Sequence, residues 1–337
     1  MASTISAQAL EIPLRGRSRF LSGASGFVKT LARRKPLGFA GLLFIGGMLV
    51  VAAVPGVFAT HSPSQQAAER YQSYCVGPQD TFLCPTQHEA ASGVFQLATA
   101  THEGSISEPL GTDKLGRDIY SRMVYGTRIA VYVGFGSVLV SSMLGLVIGV
   151  TSGYFLGKYD AVVQRLVDAI MAMPTLVVLL ALPAMIGGPT FTKLILILGI
   201  LGSAGGSRVI RAAVIGVRGS QYLDAARTIG ATNMRIMLRH VVPNIFGTVM
   251  VQATVSLGTV ILAESALSFL GFGVSDPNQP SWGGMLQLGQ EIASQRPLQA
   301  VWPGLGIALA VFSFNMFGDA MRDLLDPRLR GAKGSFS

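Results

Sequence analysis

The stretch Asp224-Ala-Ala-Arg-Thr-Ile-Gly230-Ala-Thr-Asn-Met-Arg-Ile-Met-Leu-Arg-His240-Val-Val-Pro243-Asn244 lies between long apolar segments and decides the fold. It contains three arginines and one histidine against a single acid. The pattern predicts a short helix, a turn at Gly230, and a second helix that ends at Pro243. A polar helical hairpin placed between apolar segments indicates a functional element rather than a simple connector.

The segments around this hairpin are those of a polytopic membrane protein. Half of the residues are apolar, only 13% are charged, and the mean hydropathy is +0.50, which excludes an ordinary soluble domain. A helix that crosses a bilayer needs about 20 mostly apolar residues. Six segments meet this requirement: 37–60, 129–157, 169–192, 190–210, 241–263 and 297–318. We therefore expect an all-α fold with six transmembrane helices, the third kinked at Pro174 and Pro183 and the fourth interrupted by Lys193.

The charge distribution predicts how these spans are oriented. Lys and Arg total 26 against 17 Asp and Glu, a net charge of +9. The cations cluster before residue 37, from Arg208 to Arg239, and after Arg322, three zones on one side of a six-span topology. Cytoplasmic loops carry such an excess, so both termini are expected in the cytoplasm, with lipid rather than nucleic acid as the partner. The first apolar run is too long for a signal peptide and predicts an uncleaved anchor.

These observations divide the chain into five parts. They are a basic cytoplasmic tail at 1–36, the first transmembrane helix at 37–60, an extracytoplasmic insertion with an interfacial helix at 61–125, a transmembrane core at 126–318 that contains a cytoplasmic loop at 211–245, and a cytoplasmic tail at 319–337.

Two cysteines occur in the chain, Cys75 and Cys84, and both lie in the insertion. An extracytoplasmic location permits a disulfide between them, which would staple an irregular segment. Two unrelated free thiols are the alternative. The insertion also holds His61, His88 and His102, without the spacing of a metal site, so loop histidines and metal capture both remain open.

The end of the insertion, residues 108–128, predicts an amphipathic interfacial helix. Thr112 or Asp113 is expected to cap it. Its apolar stripe consists of Ile119, Met123 and Ile129. Three cations are expected to face lipid headgroups: Arg117, Arg122 and Arg128.

Several of these stretches resemble the second permease subunit of peptide and nickel ABC importers, over about residues 105–330. Residues 109–118 resemble its Pro-Leu-Gly-Thr-Asp-x-x-Gly-Arg-Asp signature. Residues 224–243 resemble its cytoplasmic coupling loop, which runs Glu-Ala-Ala, three residues, Gly, nine residues, then Ile, any residue, Leu and Pro. Gly230 and Pro243 are in register, whereas Asp224 replaces Glu and His240 replaces Ile.

The resemblance implies a type I ABC importer permease in a bacterial or archaeal cell membrane. It implies as partners a homologous sister permease, two cytoplasmic ABC ATPases and an extracytoplasmic solute-binding protein. Peptides are the leading substrate class, with nickel, glutathione and other small solutes as alternatives. The residues that it assigns to ATPase coupling are Asp224, Ala225, Ala226, Gly230 and Pro243.

The chain is not expected to be an enzyme or to hold a cofactor or metal. A phosphate loop would need the pattern Gly-x-x-x-x-Gly-Lys-Ser/Thr, and the nearest string, residues 23–30, has Val28 at the second glycine. ATP and Mg are therefore expected on the partner ATPases, and no catalytic residue is expected here.

Ionisable residues within membrane spans are candidates for the translocation path. Asp168 is one, with Arg165 a turn before it, and a structural ion pair or an interfacial position is the alternative. Glu264 is the other, near the outer end of its helix, with a structural hydrogen bond as the alternative. Two other protein classes remain open, a secondary transporter driven by an ion gradient and a membrane scaffold that transports nothing.

Overall fold

The computed structural model describes residues 23–64, 110–113, 116–185, 187–274, 276, 278–291, 293 and 297–325. Cys75 and Cys84, and the disulfide predicted between them, lie outside the described residues, as do His88 and His102.

Within these ranges the regular structure is helical. In chain order the helices are α1 (Gly23–Arg34), α2 (Pro36–Ala53), α3 (Pro55–Phe58), α4 (Ile119–Phe155), α5 (Gly157–Ala172), α6 (Thr175–Met185), α7 (Phe191–Arg218), α8 (Gln221–Thr228), α9 (Asn233–Ile236), α10 (Val242–Phe269), α11 (Trp282–Glu291) and α12 (Leu298–Leu325). A π-helical turn, Met237–Val241, joins α9 to α10.

Among the described residues, five helical segments are long and apolar enough to cross a membrane: α2, α4, α7, the continuous run from α9 through α10, and α12. A sixth span is present if α5 and α6 count together, although they bend by 86° at the break between them. The break contains Met173 and Pro174, and Met173 has the extended conformation that a following proline favours, φ −74° and ψ 133°. The kink expected at Pro174 is therefore a sharp corner, whereas Pro183 lies inside α6.

The first predicted span is divided in the same way. Helix α2 ends at Ala53, Val54 leaves the helical conformation, and α3 begins at Pro55. Proline at the first helical position is favourable, but it disfavours a helical residue before it. The break follows from this restriction.

The interfacial helix predicted before the second span is part of that span. Helix α4 has 37 residues, so it is about 55 Å long, well beyond the roughly 30 Å of the hydrocarbon core. The helix is therefore long enough to contain both the span and the segment predicted to be interfacial. Asp118 caps the helix by accepting hydrogen bonds from the backbone N–H groups of Tyr120 and Ser121, at 3.1 and 3.0 Å.

Two expectations for this region are wrong. Thr112 and Asp113 precede the helix without capping it, because Asp118 is the residue next to its first turn. Arg117 and Arg122 do not face headgroups, since they are only 9% and 5% exposed and lie against the carboxylate of Asp113. Of the three cations, Arg128 is the exposed one, and its guanidinium lies over the Tyr132 ring.

Helices α4 and α7 make the closest helix pair of the bundle. Gly145, Gly149 and Gly153 of α4 follow one another along the contact, and a Cβ at Gly149 would lie 2.6 Å from the backbone oxygen of Ser207. One at Gly153 would lie 2.9 Å from the backbone oxygen of Arg211. In lipid, apolar burial gives helices no preference for each other over acyl chains, so close backbone packing has to hold them.

Replacing Gly149 by leucine should therefore push α4 and α7 apart. Overpacking of this kind costs about 1–3 kcal/mol. The purified permease should show a lower midpoint of thermal unfolding in detergent.

Gly46→Leu in α2 is the matched control, because no atom of the described residues lies within 4 Å of a Cβ built there. Equal midpoints for the two variants would show that the glycine contact does not hold the bundle together.

Candidate functional site

The hairpin between α7 and α10 begins at α8, and a complete glycine cap ends this helix. Gly230 has φ +79°, a conformation that a side chain with a Cβ adopts only at a cost. Its N–H bonds to the oxygen of Arg227 at 2.9 Å, and the N–H of Ala231 bonds to the oxygen of Ala226 at 3.1 Å. This pair of bonds is the Schellman motif. The turn predicted at Gly230 is confirmed.

The inner face of the hairpin packs on the protein itself. It belongs to a core cluster, which consists of Val150, Tyr154, Ile210, Val214, Leu223, Ala226, Ile236, Met237, Val241 and Ile245. These residues come from α4, α7, α8, α9, the π-helical turn and α10. The hairpin is therefore seated on the ends of α4 and α7 and on the start of α10, the span with which it is continuous.

The two alanines of the motif do not share a role. Ala226 is 5% exposed and packs in this cluster, whereas Ala225 is exposed. Successive residues of an α-helix point about 100° apart, so neighbours cannot face the same partner. Ala226 therefore packs on the permease itself, and the assignment of the two alanines to ATPase coupling stays a prediction.

Polar contacts also fix the hairpin to the spans. The hydroxyl of Tyr154, at the end of α4, donates to Oδ1 of Asn233 at 2.9 Å. The guanidinium of Arg227 lies 5.7 Å from the centre of the Tyr154 ring, a cation–π distance. The side-chain amide of Asn244 donates to the hydroxyl of Tyr222, which links α10 to α8.

The second helix of the hairpin does not end at Pro243. It continues from α9 into the 28 residues of α10, with Pro243 near the start of α10. Proline has no N–H to donate to the preceding turn. The π-helical turn accommodates this, and the N–H of Val242 bonds to the oxygen of Met237, five residues back. The hairpin is therefore continuous with a membrane span.

An ion pair below the hairpin was not identified from the sequence. Nε and Nη2 of Arg211 in α7 donate to the two carboxylate oxygens of Asp160 in α5, at 2.7 and 2.5 Å. The hydroxyl of Ser152 in α4 also donates to Asp160, and it accepts from Gln164 at 2.9 Å. The residues of the pair are 51 positions apart, so no local sequence pattern connects them.

The outer face of the hairpin exposes apolar side chains that the sequence motif does not include. Four are large and exposed: Tyr222 at 41%, Ile229 at 84%, Met234 at 61% and Leu238 at 63%. We call these four residues the coupling surface. Asp224 lies beside it in the first turn of α8, where it forms an exposed 2.8 Å ion pair with Arg227. An exposed apolar patch with a charged rim is typical of a protein-binding site.

Asp168 and Glu264 have partners of different kinds. Asp168 forms a half-exposed ion pair with Arg208 of α7, so its partner is not Arg165. Glu264 is 2% exposed and accepts hydrogen bonds from Ser268 at 2.7 Å and Ser265 at 3.4 Å, both on its own helix. Both acids thus have an ion-pair or hydrogen-bond partner in the structure. Their place on a translocation path stays a prediction.

The fold is that of a multi-pass membrane protein. Its hairpin presents a surface that a partner outside the bilayer can contact. Residues 145–331 match the family described as binding-protein-dependent transport system inner membrane component. The match covers more than half of the chain. The protein therefore belongs to this family of inner membrane permeases, which excludes the ion-driven transporter and the scaffold.

Individual relatives agree with this membership. The dipeptide transport system permease protein of Alkalihalophilus pseudofirmus is 36% identical over 220 residues, which are 65% of this chain and 72% of the relative. The oligopeptide transport system permease protein of Bacillus subtilis is 34% identical over 220 residues, 65% and 72% of the two chains. The glutathione transport system permease protein of Pectobacterium atrosepticum is 35% identical over 240 residues, 71% and 79%.

The ion pair between Asp160 and Arg211 can be tested with a double-mutant cycle of Asp160→Asn and Arg211→Gln. The side chains are 11% and 30% exposed, so we expect a coupling energy on the order of 2 kcal/mol, between the values of exposed and buried pairs. Thermal unfolding of the four proteins measures it.

The pair between Asp168 and Arg208, 48% and 44% exposed, is the control, with an expected coupling below about 1 kcal/mol. Equal coupling energies in the two cycles would contradict a special role for Asp160 and Arg211.

Proposed function

We propose that this protein is the transmembrane permease subunit of an ATP-driven importer of di- or oligopeptides. The observation that carries the proposal is the coupling surface, an exposed apolar patch on a hairpin that is continuous with one span and seated on two others. The substrates for which the relatives are named support the substrate class. Glutathione is the alternative, because one relative is named for it and it is itself a small peptide.

The partners follow from this function. Two ABC ATPases bind ATP and Mg and hydrolyse ATP. One of them docks on the coupling surface, where Ile229, Met234 and Leu238 lose their exposure. A homologous permease forms the other half of the pathway, and a solute-binding protein delivers the peptide on the opposite side of the membrane.

Coupling of ATPase closure to transport then requires only that the hairpin moves together with the spans on which it packs. Closure of the ATPases pushes on the outer face of α8 and α9. The buried inner face passes this displacement to the ends of α4, α7 and α10, because Leu223, Ala226 and Ile236 pack among residues of those helices. Packed cores change between discrete arrangements instead of deforming continuously, so the displacement switches access between the two sides.

The two adjacent alanines separate docking from folding. Ala225→Arg places a cation on the exposed face of α8, so the permease should keep its thermal midpoint, lose co-purifying ATPase and lose peptide uptake. Ala226→Arg forces a charge into the core cluster, so the thermal midpoint itself should fall.

The proposal fails if Ala225→Arg retains both ATPase and full uptake. If both variants lower the thermal midpoint equally, the exposed face of α8 has no separate role in docking.

Orientation can be tested on a chain whose Cys75 and Cys84 are replaced by serine. Thr232→Cys in the hairpin should be protected from an impermeant thiol reagent in intact cells, whereas Gln279→Cys in the loop after α10 should react. Both positions are exposed, so burial does not protect either. Labelling at position 232 from outside would invert the topology and remove the hairpin from the ATPases.

A further inference from the structure

Two arginines and one carboxylate form a cluster at the start of α4. Asp113 and Arg117 precede the helix, and Arg122 lies in its first turns. Asp113 accepts two hydrogen bonds from Arg117, from the backbone N–H at 3.0 Å and from Nε at 2.9 Å, and Nη2 of Arg117 forms an ion pair with it at 2.8 Å. Arg122 lies against the same carboxylate, with its Nε 3.6 Å from Oδ2. One carboxylate thus serves two guanidiniums, and the three residues together carry a formal charge of +1.

Arg122 is the incompletely bonded member of this cluster. It is 5% exposed, and its Nη1 donates to the backbone oxygen of Pro63 at 3.1 Å. The 3.6 Å from its Nε to Asp113 is too long for a hydrogen bond. Among the residues that the structure describes, this Nε has no hydrogen-bond partner. A buried guanidinium with an unused donor is costly, and such a group needs a physical explanation.

Both guanidiniums line a cavity between the start of α4, the end of α10 and α11. Its volume is about 300 Å³, the lower end of the range for ligand pockets, which is about 300–1,000 Å³. Ser268, Gln279 and Gln287 are in its wall and offer hydroxyl and amide groups. Gly271, Gly273 and Gly284 are there too, so parts of the wall are backbone.

We propose that this cavity binds the C-terminal carboxylate of a transported peptide, with the guanidinium of Arg122 as its charged donor. The proposal rests on the proposed function, because the peptide is the substrate inferred there. A carboxylate carries one negative charge, which neutralises the excess of the cluster. Its two oxygens match the donors of a guanidinium, and the amide and hydroxyl groups of the wall suit a peptide backbone.

The negative charge of Asp276 in the cavity wall favours a singly charged ligand over a doubly charged one. Asp276 lines the cavity and accepts from the N–H of Asn278 at 2.9 Å and from the side-chain amide of Gln279 at 3.0 Å. A doubly charged phosphate would leave the cluster and its ligand with a net negative charge beside this carboxylate. A carboxylate ligand does not.

Binding can be measured by ligand-observed saturation-transfer NMR on the permease and its sister permease in nanodiscs. The probes are N-acetyl-alanyl-alanine, its C-terminal amide, and acetate. The amide lacks the anionic group, so it should bind about tenfold more weakly than the acid. Acetate should also bind about tenfold more weakly, because it lacks the peptide groups that the wall recognises.

Two variants locate the binding. Arg122→Gln should weaken binding of the acid about tenfold and leave binding of the amide unchanged. Asp276→Asn keeps an oxygen for the N–H of Asn278 but removes a like charge, so it should tighten binding of the acid about threefold. If Arg122→Gln lowers the thermal midpoint by unfolding the buried cluster, the affinity of the Asp276→Asn variant for the acid alone tests the proposal.

Equal affinities for acid and amide would overturn the proposal, and so would acetate binding as tightly as the acid. Unchanged affinity in a folded Arg122→Gln protein, or no tightening with Asp276→Asn, would also overturn it. None of these outcomes affects co-purification of the ATPase with the permease. Failure of the proposed carboxylate site is therefore distinguishable from failure of the proposed function.

Discussion

Close backbone contact between α4 and α7 determines where the other parts of the molecule lie. At two of the three glycines, Gly149 and Gly153, the helices approach until the position of a Cβ would fall within 3 Å of the facing backbone. At this distance the ends of the helices cannot shift independently. Tyr154 and Ser152 at one end of α4 are therefore held beside Arg211 and Val214 of α7, and these residues support the hairpin and the Asp160 ion pair.

The hairpin obtains its rigidity from this base rather than from its own length. Helix α8 has eight residues, too few to be stable alone in water. Leu223 and Ala226 seat it on the base, and the Schellman turn at Gly230 fixes the direction of the next helix. Ile229 and Leu238 thus lie on a hairpin that packs on α4 and α7 and is continuous with α10. The proposed coupling to an ATPase requires such a rigid connection.

The sequence predicted the features that depend on short-range chemistry. Apolar runs revealed the spans, because a helix satisfies all its backbone groups within lipid. Gly230 and Pro174 marked a turn and a corner, because their backbone restrictions are local. Long-range contacts were missed. Nothing in the sequence distinguishes Ala225 from Ala226, or pairs Asp160 with Arg211, because burial depends on elements far along the chain. The sequence motif also does not include Ile229 and Leu238, because their exposure depends on the fold.

Arginine–carboxylate clusters occur near both ends of α4, and their bonding differs in a way that matches their roles. At the hairpin end, Arg211 uses two donors on Asp160, and Ser152 supplies a further bond to the same carboxylate. A charge so bonded has little to gain from a ligand, and it holds helices in place. At the other end Asp113 is shared, and Nε of Arg122 has no hydrogen-bond partner among the described residues. The incomplete bonding of Arg122 leaves its guanidinium with more to gain from an added partner, so the same combination of residue types holds helices at one end of α4 and favours a ligand at the other.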